Sequence, residues 1–238
     1  VLPVRPSNAD ALKNALRALS TMRVKKLGVL VQGDAYGQDL DAVLGTLKLP
    51  EGLEIAVKET IDSKSAWPAV TQRLQGAGVT AVLLLSDHVP TANALVGFWN
   101  SRRKTAAAYT PTMMHLDGLA LPEYAEKAAG YPGGSMFVTV VPSPWGGRRQ
   151  AQRDYQALAQ SKGIYRASYG SFEAFLNARV LVNAVHNGKA TNAAKLTQYL
   201  HSNPISLGGL SLRYVGGKND TTGFLDQAVL GGDGAFRH

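Results

Sequence analysis

The stretch KKLGVLVQGDAYGQDL, residues 25–40, decides the fold of this chain. Apolar residues fill consecutive positions in KLGVLV, which is typical of a strand that is covered on both faces of a sheet. The polar residues QGDA follow, and the next residues have the spacing of a helix. The stretch therefore predicts a strand, a loop and the start of a helix, a junction that often holds phosphates.

The same alternation of strand and helix patterns continues through the first two thirds of the chain. Apolar, β-branched runs alternate with helical patterns, which is typical of βαβ units and a parallel sheet. We therefore predict an α/β fold with a doubly wound, parallel, five-stranded sheet over residues 7–141. The predicted strands lie at residues 26–31, 53–60, 79–86, 109–115 and 135–141.

The pattern changes at PSPWGG, residues 142–147, where two prolines and two glycines predict a connection. Three helical stretches follow without a strand between them, at residues 148–161, 171–187 and 192–201. Their apolar faces, which include Phe172, need a sheet or further helices to cover them. The end of the chain has the pattern of two strands around a turn rich in Gly, Asn and Asp.

Composition and charge exclude several classes of protein. The chain has no cysteine, so disulfides, thiolate metal sites and cysteine nucleophiles are excluded. The net charge is +8, but the positive residues are scattered. The densest groups are Lys25–Lys26, Arg102–Lys104 and Arg148–Arg149. Because nucleic-acid binding calls for one basic face, we expect no nucleic-acid partner.

The loop after the first strand does not fit a phosphate loop. It lacks the lysine of a Walker A motif, and Gly33 and Gly37 lie too far apart for a Rossmann fingerprint. Asp34 fits better as the cap of the following helix. Tyr36 follows the carboxyl end of a parallel strand, where open α/β sheets bind their ligands. Tyr36 is therefore either a ligand contact or a side chain packed on its own helix.

Two further polar clusters follow predicted strands at the same edge of the sheet. They are Ser86-Asp87-His88 after the third strand and His115 with Asp117 after the fourth. Adjacent residues of one loop cannot easily form a Ser-His-Asp relay, and no Gly-x-Ser-x-Gly elbow occurs. Nothing in the spacing demands a metal, so we expect no metal site and no cofactor. The clusters are either a polar rim that hydrogen-bonds a small ligand or solvated loop ends.

Several segments together resemble the type I periplasmic binding proteins, most of all the leucine/branched-chain amino-acid group of ABC transporter substrate-binding proteins. The segments are VRPSNADALKNALRAL, KKLGVLVQGDAYGQDL, AVLLLSDHVPT, VVPSPW, SYGSFEAFLNARVLVNAV and LGGLSLRYVGGKNDTTGFLDQAVLGGDGAFRH. The resemblance covers essentially all 238 residues. The DAYG after the first strand and the terminal glycine-rich pattern are fairly specific in combination.

The resemblance implies two lobes, of which the first half of the N-terminal lobe is absent. Residues 7–141 and 204–238 are then the C-terminal α/β lobe. Residues 1–6 and 142–203 are then the remnant of the N-terminal lobe with its hinge crossovers. The chain is accordingly expected to be N-terminally truncated, and a dimer or the missing N-lobe segment should cover the helices of residues 148–201.

The resemblance also implies a function. We expect an exported, periplasmic protein that binds an amino acid or a similar small carboxylate between two lobes and delivers it to the membrane permease of an ABC transporter. No reaction is expected. The alternative is the ligand-sensing domain of a receptor or transcriptional regulator on the same fold. Ligand contacts carried over from the family are Tyr36, then Asp87 or His88, then His115 or Asp117.

Overall fold

Seven strands form one sheet in the computed structural model, which describes residues 4–102, 108–163, 167–215, 218–220 and 223–238. The chain divides into a sheet unit, Asn8–Thr139 with Gln227–His238, and a helical unit, Val140–Asp226 with the described residues before Asn8. The sheet unit contains α1 (Asn8–Thr21), β1 (Lys26–Gln32), α2 (Ala35–Gly45), β2 (Glu54–Ile61), α3 (Trp67–Gly76), β3 (Ala81–Leu85), α4 (Val89–Arg102), β4 (Thr112–Leu116), α5 (Pro122–Ala128), β5 (Ser135–Thr139), most of β9 (Asp226–Leu230) and β10 (Phe236–Arg237).

The sheet has the order β10-β9-β5-β4-β3-β1-β2. Strands β2, β1, β3, β4 and β5 are parallel, with Leu30 of β1 beside Leu84 of β3. All of β3 and all of β1 after Lys26 are buried, as expected for strands with helices on both faces. The predicted α/β class and the five parallel strands are confirmed.

The backbone between β1 and α2 turns tightly, and Gly37 permits this because it has no side chain. A Cβ atom at Gly37 would lie 2.1 Å from the carbonyl oxygen of Gln32, closer than any real contact. Asp34 is the N-cap of α2, and its side chain accepts a hydrogen bond of 2.9 Å from the Gly37 N–H. The prediction that Asp34 caps this helix is confirmed.

The end of the chain differs from the two strands expected there. Three strands, β6, β7 and β8, form a separate sheet in that order, and of the described strands after residue 204, β9 and β10 join the large sheet. The chain therefore enters the sheet unit for the last time after Asp226, later than the crossover expected after Asn203. The strands of the small sheet are β6 (Ile205–Ser206), β7 (Ser211–Val215) and β8 (Lys218–Asp220).

The helical unit contains α6 (Gln150–Lys162), α7 (Tyr169–Gly188) and α8 (Ala193–Ser202). Phe172, Leu176 and Val180 of α7 are buried, with Phe172 against Tyr155 of α6. The next apolar residues of α7 are exposed: Leu181 by 51%, Val182 by 66% and Val185 by 58%. The helical unit thus covers only part of the apolar surface of its longest helix. Within the described residues, no helix is long and apolar enough to cross a membrane.

Candidate ligand-binding site

The carboxyl ends of β1, β3 and β4 bring two of the predicted residues, Tyr36 and Asp87, together with Gly118. An ideal Cβ atom at Gly118 would lie 2.9 Å from the Asp87 Cβ and 3.6 Å from the Tyr36 hydroxyl oxygen. Tyr36 lies in the first turn of α2, Asp87 follows β3, and Gly118 lies in a 3₁₀ turn, Asp117–Leu119, after β4. Because parallel strands end at the same edge, loops from three strands meet within contact distance.

Tyr36 is half-buried, whereas Asp87 and His88 are exposed. Asp117 is half-buried and starts the 3₁₀ turn that carries Gly118. The strand-end rim, defined as Tyr36, Asp87, His88, Asp117 and Gly118, therefore offers a phenol, two carboxylates and an imidazole on one edge of the sheet unit. The glycine allows close approach, since a side chain at Gly118 would collide with Asp87.

A buried chain of hydrogen bonds holds the loop that carries Asp87 and His88. The Ser86 hydroxyl donates to Gln32 Oε1 at 3.3 Å and accepts from the His88 backbone N–H at 3.0 Å. His88 Nδ1 lies 2.8 Å from the Thr91 hydroxyl. Ser86, Gln32 and Thr91 are all buried, so the imidazole of His88 projects from a fixed base.

Sequence reasoning did not single out Gln32 or Thr91. Gln32 ends the apolar run of β1, and a buried amide at the end of such a strand usually has a polar partner. That signal could have identified Gln32. No comparable signal pointed to Thr91, because the hydroxyl of a threonine near the start of a helix most often hydrogen-bonds the backbone of that helix.

His115 does not fit the prediction that it contacts a ligand at the rim. The structure places it inside β4 with 0% exposure. Its Nε2 lies 3.0 Å from the Tyr124 hydroxyl, and its ring stacks on Phe137 at a centroid distance of 4.7 Å. Burial lowers the pKa of His115 to about 3, so the ring is neutral in the folded chain. His115 is a core residue, because β4 runs one residue beyond it.

The Ser86 hydroxyl holds the loop of the rim and does not face an imidazole nitrogen. The hydroxyl that lies 2.8 Å from His88 Nδ1 is that of the buried Thr91. In the described part of the chain, no group of three or more His, Cys, Asp or Glu could hold a metal ion. The groups present can hydrogen-bond and pair electrostatically with a small polar molecule.

Comparison with known proteins assigns the fold. No protein-family model matches the chain, and no curated protein matches it in sequence. Solved structures match over nearly its whole length, and they are ligand-binding receptors and substrate-binding proteins. The chain has the type I periplasmic binding protein fold, so the resemblance predicted from the sequence is confirmed at the level of the fold.

Three of these structures give the extent of the likeness. An extracellular ligand-binding receptor from Verminephrobacter eiseniae is 21% identical with a TM-score of 0.80, over 99% of this chain and 67% of that one. A leucine-binding protein from Thermotoga maritima is 14% identical, with a TM-score of 0.75, over 98% of this chain and 65% of that one. An ABC transporter substrate-binding protein from Desulfitobacterium hafniense, in complex with Leu, is 15% identical, with a TM-score of 0.74, over 98% and 65%.

Proposed function

We propose that this chain is part of an extracytoplasmic solute-binding protein that holds an amino acid or a similar small carboxylate at the strand-end rim. The observation that carries the proposal is the meeting of Tyr36, Asp87 and Gly118 at the carboxyl ends of three parallel strands. Open α/β sheets bind their ligands at that edge. The neighbours of the same fold are named as ligand-binding proteins, which supports a solute-binding role.

The chemistry of the rim suits a zwitterion. An exposed carboxylate such as Asp87 pairs with an ammonium group, and an imidazole such as His88 can donate a hydrogen bond to a carboxylate. The Tyr36 hydroxyl can do either and its ring can cover apolar parts of the ligand. An amino acid presents all three kinds of group within a few ångströms.

The proposed setting is a transporter of the ABC type. In this proposal the protein is exported to the periplasm, binds its solute between two lobes that close by a hinge motion, and passes it to a membrane permease. The sheet unit would be most of one lobe and the helical unit a part of the other. The ABC transporter substrate-binding protein from Desulfitobacterium hafniense, named in complex with Leu, supports this setting.

A substitution at Gly118 tests the proposed site without removing any functional group. Gly118→Ala would push a methyl group to 2.9 Å from the Asp87 Cβ, so Asp87 or the turn must shift. We expect the full natural protein to lose roughly tenfold in solute affinity, about 1.4 kcal/mol, since a shift of a few tenths of an ångström weakens several contacts at once.

The matched control is Gly97→Ala in α4, where an ideal Cβ atom meets no described atom within 4 Å. It adds the same methyl group to the same unit and should leave affinity unchanged. Titration calorimetry with leucine, isoleucine, valine and small carboxylates measures both variants. Equal affinities for Gly118→Ala, Gly97→Ala and the unmodified protein would contradict a site at this rim.

A further inference from the structure

A second concave surface of the sheet unit lies at the opposite ends of the strands from the rim. It is a groove of about 740 Å³ between the end of α1 and the loop that joins α2 to β2. Both segments directly precede strands, so they lie at the amino ends of β1 and β2. The volume is within the range of small-molecule sites, roughly 300–1,000 Å³. The groove is lined by Lys13, Leu16, Arg17, Ser20, Thr21, Lys48, Leu49, Pro50 and Glu51.

The groove concentrates positive charge that this chain does not neutralise. Lys13, Arg17 and Lys48 are exposed, and the one acidic residue that lines the groove with them is Glu51. Within the described residues, neither Arg17 nor Lys48 has an acidic side chain within 4.0 Å, and Lys13 has only Asp10 at 3.9 Å. Three like charges around one concavity repel each other and attract an anion.

Some exposed cations elsewhere in the same unit have close carboxylate partners. Lys58 pairs with Asp41 at 2.6 Å, and Arg237 pairs with Asp233 at 2.7 Å. Arg73 pairs with Glu59 through two hydrogen bonds. Lys64 and Lys127 are also exposed and have no acidic side chain within 4.0 Å among the described residues, so the groove differs by bringing three cations to one concave surface.

The last carbonyl groups of α1, beside the groove, have hydrogen-bond partners within the chain. A helix ends in unpaired carbonyl groups, which carry partial negative charge. The last turn of α1 has its carbonyl groups paired with the backbone that follows. The Ala18 carbonyl accepts a hydrogen bond from the N–H of residue 22, the Ser20 carbonyl from that of residue 23, and the Leu19 carbonyl from that of residue 24. The Arg17 carbonyl accepts from the Thr21 hydroxyl at 3.0 Å. These carbonyls already accept hydrogen bonds from the chain, so they do not need the cations of the groove as donors.

We propose that this groove binds a phosphate-bearing ligand. A guanidinium group forms paired hydrogen bonds to phosphate oxygens, and lysine ammonium groups add point charges, so Arg17 with Lys13 and Lys48 forms a suitable set. Ser20 offers a hydroxyl at the same surface. Leu49 and Pro50 form an apolar wall against which the organic part of such a ligand packs. The phosphate is carried either by a small molecule in solution or by a lipid headgroup.

Two titrations distinguish these sources. Calorimetry with inorganic pyrophosphate detects a soluble ligand, and co-sedimentation with vesicles of phosphatidylglycerol and phosphatidylcholine detects a headgroup, with phosphatidylcholine vesicles as the blank. We expect binding in at least one arm, weakened by added salt because both partners are exposed charges. Arg17→Gln with Lys48→Gln should weaken that binding by roughly tenfold or more, since two charge-assisted contacts are lost.

The matched control is Lys64→Gln with Lys195→Gln, which lowers the net charge equally at exposed positions outside the groove. Binding that survives in the control and fails in the groove variant supports the proposal. The proposal is overturned if neither probe binds, or if both double variants weaken binding equally, since net charge alone then explains it. Binding by the groove does not depend on Tyr36, so this result is independent of the solute site.

Discussion

At the scale of single residues, position relative to a strand end decides whether a polar side chain can meet a ligand. Asp34 and Tyr36 follow β1, and the sequence showed this because the apolar run stops clearly at Gln32. His115 was predicted to lie at the rim, yet β4 extends to Leu116 and the ring is in the core. A shift of one residue reverses the face of a strand, and the sequence does not fix strand ends that finely.

The buried His115 makes stability depend on pH. The folded chain keeps this ring neutral down to about pH 3, whereas an unfolded histidine binds a proton near pH 6.5. The lowered pKa therefore costs stability as the pH falls below 6.5, and the loss stops growing near pH 3. Between pH 7.5 and pH 5 we expect His115 to cost about 2 kcal/mol of the free energy of unfolding.

Urea unfolding of His115→Gln at the two pH values measures this contribution. Glutamine does not titrate and can still hydrogen-bond the Tyr124 hydroxyl, so the difference between the two pH values should shrink by that amount. His186→Gln, at an exposed position of α7, is the control and should leave the difference unchanged. If His115→Gln loses as much stability between pH 7.5 and pH 5 as the unmodified chain, the buried-histidine account is wrong.

At the scale of elements, the long α7 is only partly covered within its own unit. One face of it buries Phe172, Leu176 and Val180. The sequence predicted both the helix and its apolar face, since the periodicity is clear over five turns. The sequence predicted a strand where β7 lies, but it did not predict β6, β8 or the small sheet that the three strands form. Strands of two or three residues leave little periodic signal, and pairing depends on the whole fold.

Three exposed apolar side chains near the end of α7 lead to a prediction about association. Leu181, Val182 and Val185 are each more than half exposed, and large exposed apolar patches are rare on soluble monomers. We expect this chain alone to self-associate through them. Replacing all three by Ser should raise the dissociation constant by roughly a hundredfold, since each buried aliphatic side chain contributes on the order of 1 kcal/mol or more.

Light scattering during size-exclusion chromatography measures the association. The control, Met22→Ser with Val229→Ser, replaces exposed apolar residues of the sheet unit, at 43% and 45% exposure. The control should associate as the unmodified chain does. A chain that is already monomeric at high concentration would contradict the prediction.

At the scale of the whole molecule, the order of strands and helices along the sequence was enough to predict most of the fold. Buried apolar strands alternate with helices, and with right-handed crossovers that pattern allows few arrangements. The structure has these five strands in one parallel sheet, and solved binding proteins match nearly the whole chain. The chain spans about two thirds of their length, 67% in one case and 65% in another. The remaining third of those proteins has no counterpart in this sequence, so nothing about it could be predicted.

The central claim is that the rim around Tyr36 binds a small solute, and one measurement tests it most directly. The full natural protein and its Tyr36→Ala variant are titrated by calorimetry, in parallel, with leucine, isoleucine, valine and small carboxylates. The account predicts that at least one solute binds and that the variant loses about 1–2 kcal/mol of binding free energy, the scale of one buried contact or hydrogen bond. Unchanged affinity in the variant, or no binding of any of these solutes, would contradict it.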